Sequence, residues 1–243
     1  MVGRNLMKHI LGSLIGVSSF KANPTKFQKT LSLFDYYWGD ADFPYPMGQV
    51  QMLGKVDRES LEGSESIYAP LDIEFVAKHS LDWWLTSEDL PDPNNRVALD
   101  GQGNIVLRYA PNNEQGHTRL IAKLKKLLSA QRKCAVHGHE CHQGLFARNL
   151  YLGQRIPLAG VAHQNGTIRF GTDPTHTALD TNCKAHDLDN LYVVDGSFFP
   201  SSAAVNPALT IIANALRVGD HLLDRMRVTR THRREELTCA ATV

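Results

Sequence analysis

Two stretches in the C-terminal half place polar groups where chemistry can be done: AHQNGTIRFGTDP, residues 162–174, and LYVVDGSFFPSSAAVNPALTII, residues 191–212. His163 lies among turn-forming residues rather than on an apolar face, so its imidazole can serve as a base near neutral pH. Asn206-Pro207 opens a helix, since Asn is a good N-cap and Pro is favoured at the first helical position. The first turn of such a helix presents unpaired N–H groups and a partial positive charge. These suit a phosphate, a carboxylate or a ring carbonyl gathering negative charge. Asp195 is expected at the C-terminal end of a short buried strand, NLYVVDG, where α/β folds place ligand contacts. Taken singly, the same residues also read as a well-capped helix after a tight turn and a structural histidine. Only the constellation speaks for a site.

The elements that must position these groups differ between the two halves of the chain. DYYWGDADFPYPMGQVQMLGKV sets aromatics between Gly and Pro breaks, which suits strands and loops, and IYAPLDIEFVAKHS reads the same way. VAL and IVLRY flank Asp100-Gly101-Gln102-Gly103-Asn104, the pattern of a hairpin with a glycine-rich turn. HTRLIAKLKKLLSAQ carries Leu120, Ile121, Leu124, Leu127 and Leu128 at helical spacing, with lysines on the opposite face. The first half is therefore a sheet with at least one covering helix. After roughly residue 150 the chain turns loop-rich. From Pro207 to about Arg227 the residues Leu209, Ile212, Ala213, Leu216, Leu222 and Leu223 predict a helix with a buried stripe.

Composition bounds the partners. The chain has 243 residues, 42% hydrophobic and 21% charged, with a net charge of +1, as expected of a soluble globular protein and not of a nucleic-acid binder. No apolar run approaches the roughly eighteen residues of a membrane span. ILGSLIGV after Arg4 and Lys8 imitates a signal peptide, but it is short, broken by Gly12 and Gly16, and followed by no clean cleavage site, so a buried loop or strand is the preferred reading. Cys134, Cys141, Cys183 and Cys239 show no disulfide framework, and a reducing, cytoplasmic compartment is the default, with periplasm or secretion left open. CAVHGHECHQ (134–143) gathers Cys134, His137, His139, Cys141 and His142, yet its spacing fits no standard zinc arrangement, so no metal site is expected. Trp83 and Trp84 read as core or interface aromatics. The arginine-rich C-terminal tail reads as a frayed, solvated end.

HQNGTIRFGTDPTHTALD followed by NLYVVDGSFFPSSAAVNPALTIIANALRVGDHL closely resembles the C-terminal signature of the glucose–methanol–choline (GMC) family of flavin oxidoreductases. VGRNLMKH, DYYWGDADFPYPMGQVQ and LPDPNNRVALDGQGNIVLRY resemble that family's later two-thirds, so the likeness runs from Val2 to about Arg227. The family uses FAD to oxidise an alcohol, with a histidine and a second His or Asn flanking the substrate hydroxyl. The resemblance implies that His163 is the first of these and Asn206 the second. It further implies that His163 accepts the hydroxyl proton while hydride leaves the carbon, and that Asn206 hydrogen-bonds the developing alkoxide. Asp195 and Gly196 match the segment beside the flavin's ribityl–phosphate chain. Asn206, Pro207, Ala208 and Thr210 match the helix start facing the ring's pyrimidine edge.

A complete member also starts with a strand, a Gly-x-Gly-x-x-Gly turn and a helix that hold the ADP half of FAD. This chain has no such motif; GQGNIV at 101–106 lacks the third glycine and falls in the hairpin turn. The expected class is α+β, an antiparallel-sheet substrate-binding domain with covering helices plus the C-terminal part of a flavin-binding α/β domain. Residues 1–9 would be a remnant of the flavin domain, 10–160 the substrate-binding cap, 161–228 the segment completing the flavin site, and 229–243 a basic tail. The expected activity is FAD-dependent oxidation of an alcohol or sugar CH–OH group. The alternatives are an inert truncated fragment, or one half of a split enzyme needing an N-terminal flavin-binding chain or an electron-acceptor subunit. Exposed apolar positions on NLYVVDG would support either alternative.

Overall fold

ILGSLIGV, which imitates a leader, forms the second-from-edge strand of a five-stranded antiparallel sheet. The computed structural model describes residues 1–18, 22–27, 29–56, 58, 72–129, 135–136, 139–140, 150–156 and 160–228. Strands β1 (Ile10–Val17), β2 (Ser32–Leu33), β3 (Gln49–Met52) and β4 (Ser80–Ser87) join a later strand, Leu150–Arg155, in the order β2-β3-β4-β1-(150–155). Gly12 and Gly16 do not break β1; they pair across from Leu85 and Leu81 of β4. The strand is buried on both faces, which is why its sequence is a continuous apolar run. Leu14 faces a core shared with Val50, Trp83 and Leu85, while Ile15 and Val17 pack on Val76 from the other side.

Helix α1 (Ile73–His79) supplies Val76, and it corrects the strand-and-loop reading of IYAPLDIEFVAKHS. Asp72 caps it by accepting from the N–H groups of Glu74 and Phe75, and Glu74 and Lys78 form an ion pair at 2.9 Å one turn apart. An N-cap with charges complementing the helix dipole outweighs the poor helix preference of Ile, Phe and Val here.

The hairpin forms as expected: β5 (Arg96–Leu99) and β6 (Ile105–Arg108) pair antiparallel, and the Asp100 carboxylate accepts from the N–H groups of Gln102 and Asn104 in the turn. Helix α2 (Glu114–Ser129) lays Leu120, Leu124 and Leu128 on the sheet core, with Ile121 beside them; Leu127, expected on that face, is exposed. Trp83 is a core residue, as expected. A short hairpin, β7 (Ala135–Val136) with β8 (His139–Glu140), precedes the last sheet strand, β9 (Leu150–Arg155). Cys134, His137, Cys141 and His142 of the CAVHGHECHQ cluster lie outside the described residues, as do Cys239 and the tail 229–243.

The C-terminal part departs from expectation in two places. NLYVVDG is no ladder strand: Tyr192 makes an isolated bridge to Lys184, and Val193 and Val194 are half-buried against a small core of Leu179, Cys183, Phe198 and Val218. Helix α3 (Ala208–Arg225) packs on that core through Ile211, Val218 and Leu222. Of the stripe read from sequence as buried, Leu222 reaches that core, while Leu209 is 81%, Ile212 55% and Leu216 68% exposed. The period was read correctly and the face only in part, because α3 carries apolar residues on more than one side. No helix among the described residues is long and apolar enough to cross a membrane.

Candidate active site

The site is assembled where the first nine residues meet the loop after residue 160. Met7 and Asn165 exchange backbone hydrogen bonds at 2.9 Å, and the Gly3 N–H donates to the Thr167 carbonyl at 2.8 Å. Gly166 is required at this crossing: its φ is +87°, and a Cβ there would lie 2.4 Å from the Asn5 carbonyl oxygen. This pairing brings His9, the residue before β1, against His163.

His163 occupies the left-handed region at φ +74°, uncommon for a residue with a Cβ, at a cost of about 1–3 kcal/mol. The surroundings hold it there: the buried Asn165 donates from Nδ2 to the His163 carbonyl at 2.9 Å. The Asn165 Oδ1 is buried without a hydrogen-bond partner. The His163 and His9 rings meet edge to face, their Nδ1 atoms 3.0 Å apart. His9 is fully buried, and its Nε2 lies 3.0 Å from the Ser202 carbonyl oxygen. Burial drives the His9 pKa down to about 4, outweighing the Ser202 hydrogen bond, which favours its charged form. Burial also lowers the pKa of the half-exposed His163. Both imidazoles are neutral at physiological pH, the state a base requires.

Ser202 belongs to the loop that leads into α3, and the end of β4 anchors that loop. Ser202 Oγ accepts from the Asp89 N–H and donates to the Asp89 carbonyl, both at 3.0 Å. The Ala203 N–H donates to Glu88 Oε1 at 3.3 Å, and the Ala204 N–H to the Tyr37 hydroxyl at 3.3 Å. Asp89 also accepts from the Tyr109 hydroxyl at 2.8 Å and from the Lys8 N–H at 3.3 Å. Burial nevertheless raises the pKa of both Glu88 and Asp89.

The other sequence-selected residues lie on two neighbouring turns. Asp195 does not end a strand; its Oδ1 caps a single 3₁₀ turn, Gly196–Phe198, by accepting from the Ser197 N–H at 2.8 Å and from the Ser197 hydroxyl. Gly196 is wedged between the His163 loop and α3: a Cβ on it would sit 3.2 Å from the Gln164 carbonyl oxygen and 3.5 Å from Ile211 Cδ1. Two backbone bonds, Ile168 N–H to Ser197 O at 2.9 Å and Phe170 N–H to Phe198 O at 3.1 Å, tie the turn to the same loop. Asn206 is exposed and does not cap α3. The capping position falls to Pro207, no side chain caps the helix, and Ala208, Leu209 and Thr210 of its first turn are exposed. Pro207 takes the capping position at φ −86° and ψ −8°, and the regular helix begins at Ala208.

This donor set fits a flavin ring. A helix start with free N–H groups, the Asn206 amide and the Thr210 hydroxyl can meet the oxygen- and nitrogen-rich edge of such a ring, and the Asp195 carboxylate can accept from hydroxyls. His9 and Ser202 were missed from sequence. A histidine before an apolar run reads as core, and its partner His163 lies 154 positions away.

A sequence model of the family described as GMC oxidoreductase matches residues 91–215, just over half of the chain. The chain is 29% identical over 232 residues to the paromamine 6'-oxidase of Streptomyces fradiae, covering 89% of this chain and 38% of that protein. It is 26% identical over 242 residues to the fructose dehydrogenase large subunit of Gluconobacter japonicus, covering 93% of this chain and 42% of the other. It thus spans about two fifths of the length of these relatives. The formate oxidase of Aspergillus oryzae, studied for modification of its FAD, superposes over 93% of this chain and 48% of its own with a TM-score of 0.58 at 14% identity, a likeness of fold. The matched region holds His163, the 195–196 turn and the start of α3, and this chain belongs to the GMC oxidoreductase family.

Proposed function

We propose that this chain provides the substrate side of an FAD-dependent oxidoreductase that acts on the CH–OH group of an alcohol or sugar. The observation carrying this reading is the neutral, conformationally held His163, on a loop that meets α3 across Gly196. His163 accepts the substrate hydroxyl proton, and a base so placed contributes about 10²–10⁴ in rate. Asn206, exposed at the helix start, hydrogen-bonds the alkoxide oxygen as its charge develops. Ala208 and Thr210 would hold the ring edge, with Pro207 setting the helix start, and Asp195 and Gly196 would line the ribityl–phosphate chain. The chemistry FAD would supply when bound is acceptance of the hydride leaving the carbinol carbon. The named activities of the relatives, on paromamine and on fructose, support a hydroxyl-bearing substrate of sugar type.

A second reading concerns how the flavin is held. The exposed stripe of Leu209, Ile212 and Leu216 supports docking of α3 against further polypeptide. That polypeptide would be a flavin-binding part, in the same or a separate chain; the relatives are more than twice this chain's length, which leaves room for one. Residues 1–9 would then belong to the flavin-binding part, 10–160 to the substrate cap and 161–228 to the shared site.

The test is flavin retention. The chain is mixed with excess FAD, desalted and scanned for visible absorbance. Retained colour with alcohol or sugar oxidation, and a His163→Ala variant that keeps the colour but loses about 10²–10⁴ of the rate, supports the proposal. Unchanged oxidation by the variant sinks it. Colourless protein transfers the question to the docking reading, tested by adding the N-terminal part of a relative.

A further inference from the structure

We propose that His9 is a positioning residue that fixes the tautomer of His163, leaving the Nε2 of His163 as the bare, proton-accepting nitrogen. This rests on the reading of His163 as the base. A carbonyl oxygen can only accept, so the His9 Nε2, 3.0 Å from the Ser202 carbonyl, carries the proton of that ring. A neutral imidazole protonated at Nε2 is bare at Nδ1. The Nδ1 of His163 lies 3.0 Å from that bare nitrogen, so it must donate. A neutral His163 with its proton on Nδ1 is then bare at Nε2, the atom on the far side of the ring.

The opposite assignment would set two lone pairs against each other at one contact or both, in a place where His9 has no access to water. Each anchor is itself held. The Ser202 carbonyl belongs to the loop pinned to Asp89, and the His163 backbone is kept at φ +74° by Asn165. The depressed pKa of His9 keeps the relay neutral and therefore directional over the physiological range. The device thus runs from the end of β4 through Ser202 and His9 to His163, joining segments 154 and 193 positions apart in sequence.

The experiment is a ¹⁵N-detected assignment of histidine ring protonation in the full chain near pH 7. His163 is expected with its proton on Nδ1, a result that needs no variant. In His9→Gln the amide nitrogen falls near the old Nε2 and keeps the Ser202 bond while the acceptor for His163 is lost. The tautomer ratio of His163 should shift toward Nε2–H by about fivefold, the value of one hydrogen bond. In His9→Asn the amide oxygen falls near the old Nδ1 and should restore the original tautomer. A wild-type His163 protonated at Nε2, or a ratio indifferent to His9→Gln, overturns the proposal. The base reading is separated by His163→Ala in flavin-loaded protein: if oxidation survives there, that reading fails while the tautomer result stands.

Discussion

The central sheet and helix α3 use similar apolar residues to opposite ends. In β1, Ile10, Leu11, Leu14, Ile15 and Val17 are all buried, with α2 over one face of the sheet and α1 over the other. In α3, Leu209, Ile212 and Leu216 stand in solvent, and only Ile211, Val218 and Leu222 reach the small core beneath. The central sheet covers its own apolar faces. The α3 half holds the candidate chemistry, an uncapped helix start and a backbone held at positive φ, and its apolar stripe is left uncovered. A folding core and a docking face are made of the same side chains. What separates them is whether a covering element lies among the described residues.

The sharpest way to break that comparison is a pair of truncations. Leu85→Ala, at a fully buried position, is expected to destabilise the chain by about 3 kcal/mol or more in urea titrations. Leu216→Ala should change stability by less than about 0.5 kcal/mol. Equal costs would show that α3's outer face is buried in solution, and the contrast would be lost.

Acid sharpens it next. His9 and His117 are both buried with pKa values pushed down to about 4, in each case chiefly by burial; Arg155 further lowers that of His117, and Glu114 opposes it. The sign follows from the unfolded value of about 6.5: the unfolded chain takes up protons first, so stability is full above that pH and falls as pH drops toward 4. Each group contributes on the order of 3 kcal/mol to that loss. A pH series of urea midpoints should show a decline across this window that His117→Phe makes shallower. A flat series would sink the assignment of two buried, neutral histidines.

Smaller still is the cap of α1. Asp72→Ala removes the acceptor for two N–H groups and should cost about 1 kcal/mol by thermal melt. Last, Leu209→Lys, Ile212→Lys and Leu216→Lys together should leave the melting temperature of the chain nearly unchanged while reducing self-association in light scattering and binding of an apolar dye. If the triple variant unfolds the chain, the stripe belongs to a core rather than to a docking face.

Much of the first half was legible because its signals are local. The β5–β6 hairpin follows from a glycine-rich turn between two apolar runs, and α2 from apolar residues at helical spacing. The α1 cap was legible in principle: Asp72, Glu74 and Lys78 stand at cap, first turn and last turn, but Ile, Phe and Val around them favoured a strand reading. The NLYVVDG segment looked like a strand, and no local signal tells a laddered run from one lying half-buried on a loop-built core. For α3 the period was right, and the face could not be read, since the sequence does not say which side has a neighbour.

The amino-acid sequence alone determined the antiparallel-sheet class and the family resemblance, and it singled out His163, the 195–196 turn and the start of α3 as candidates, because each reading depends on residues close together in the chain. Tertiary structure alone decided that Asn206 leaves α3 uncapped and that Leu209, Ile212 and Leu216 face solvent. It also decided that His9 meets both His163 and Ser202, since those contacts close across 154 and 193 residues and no periodicity encodes them.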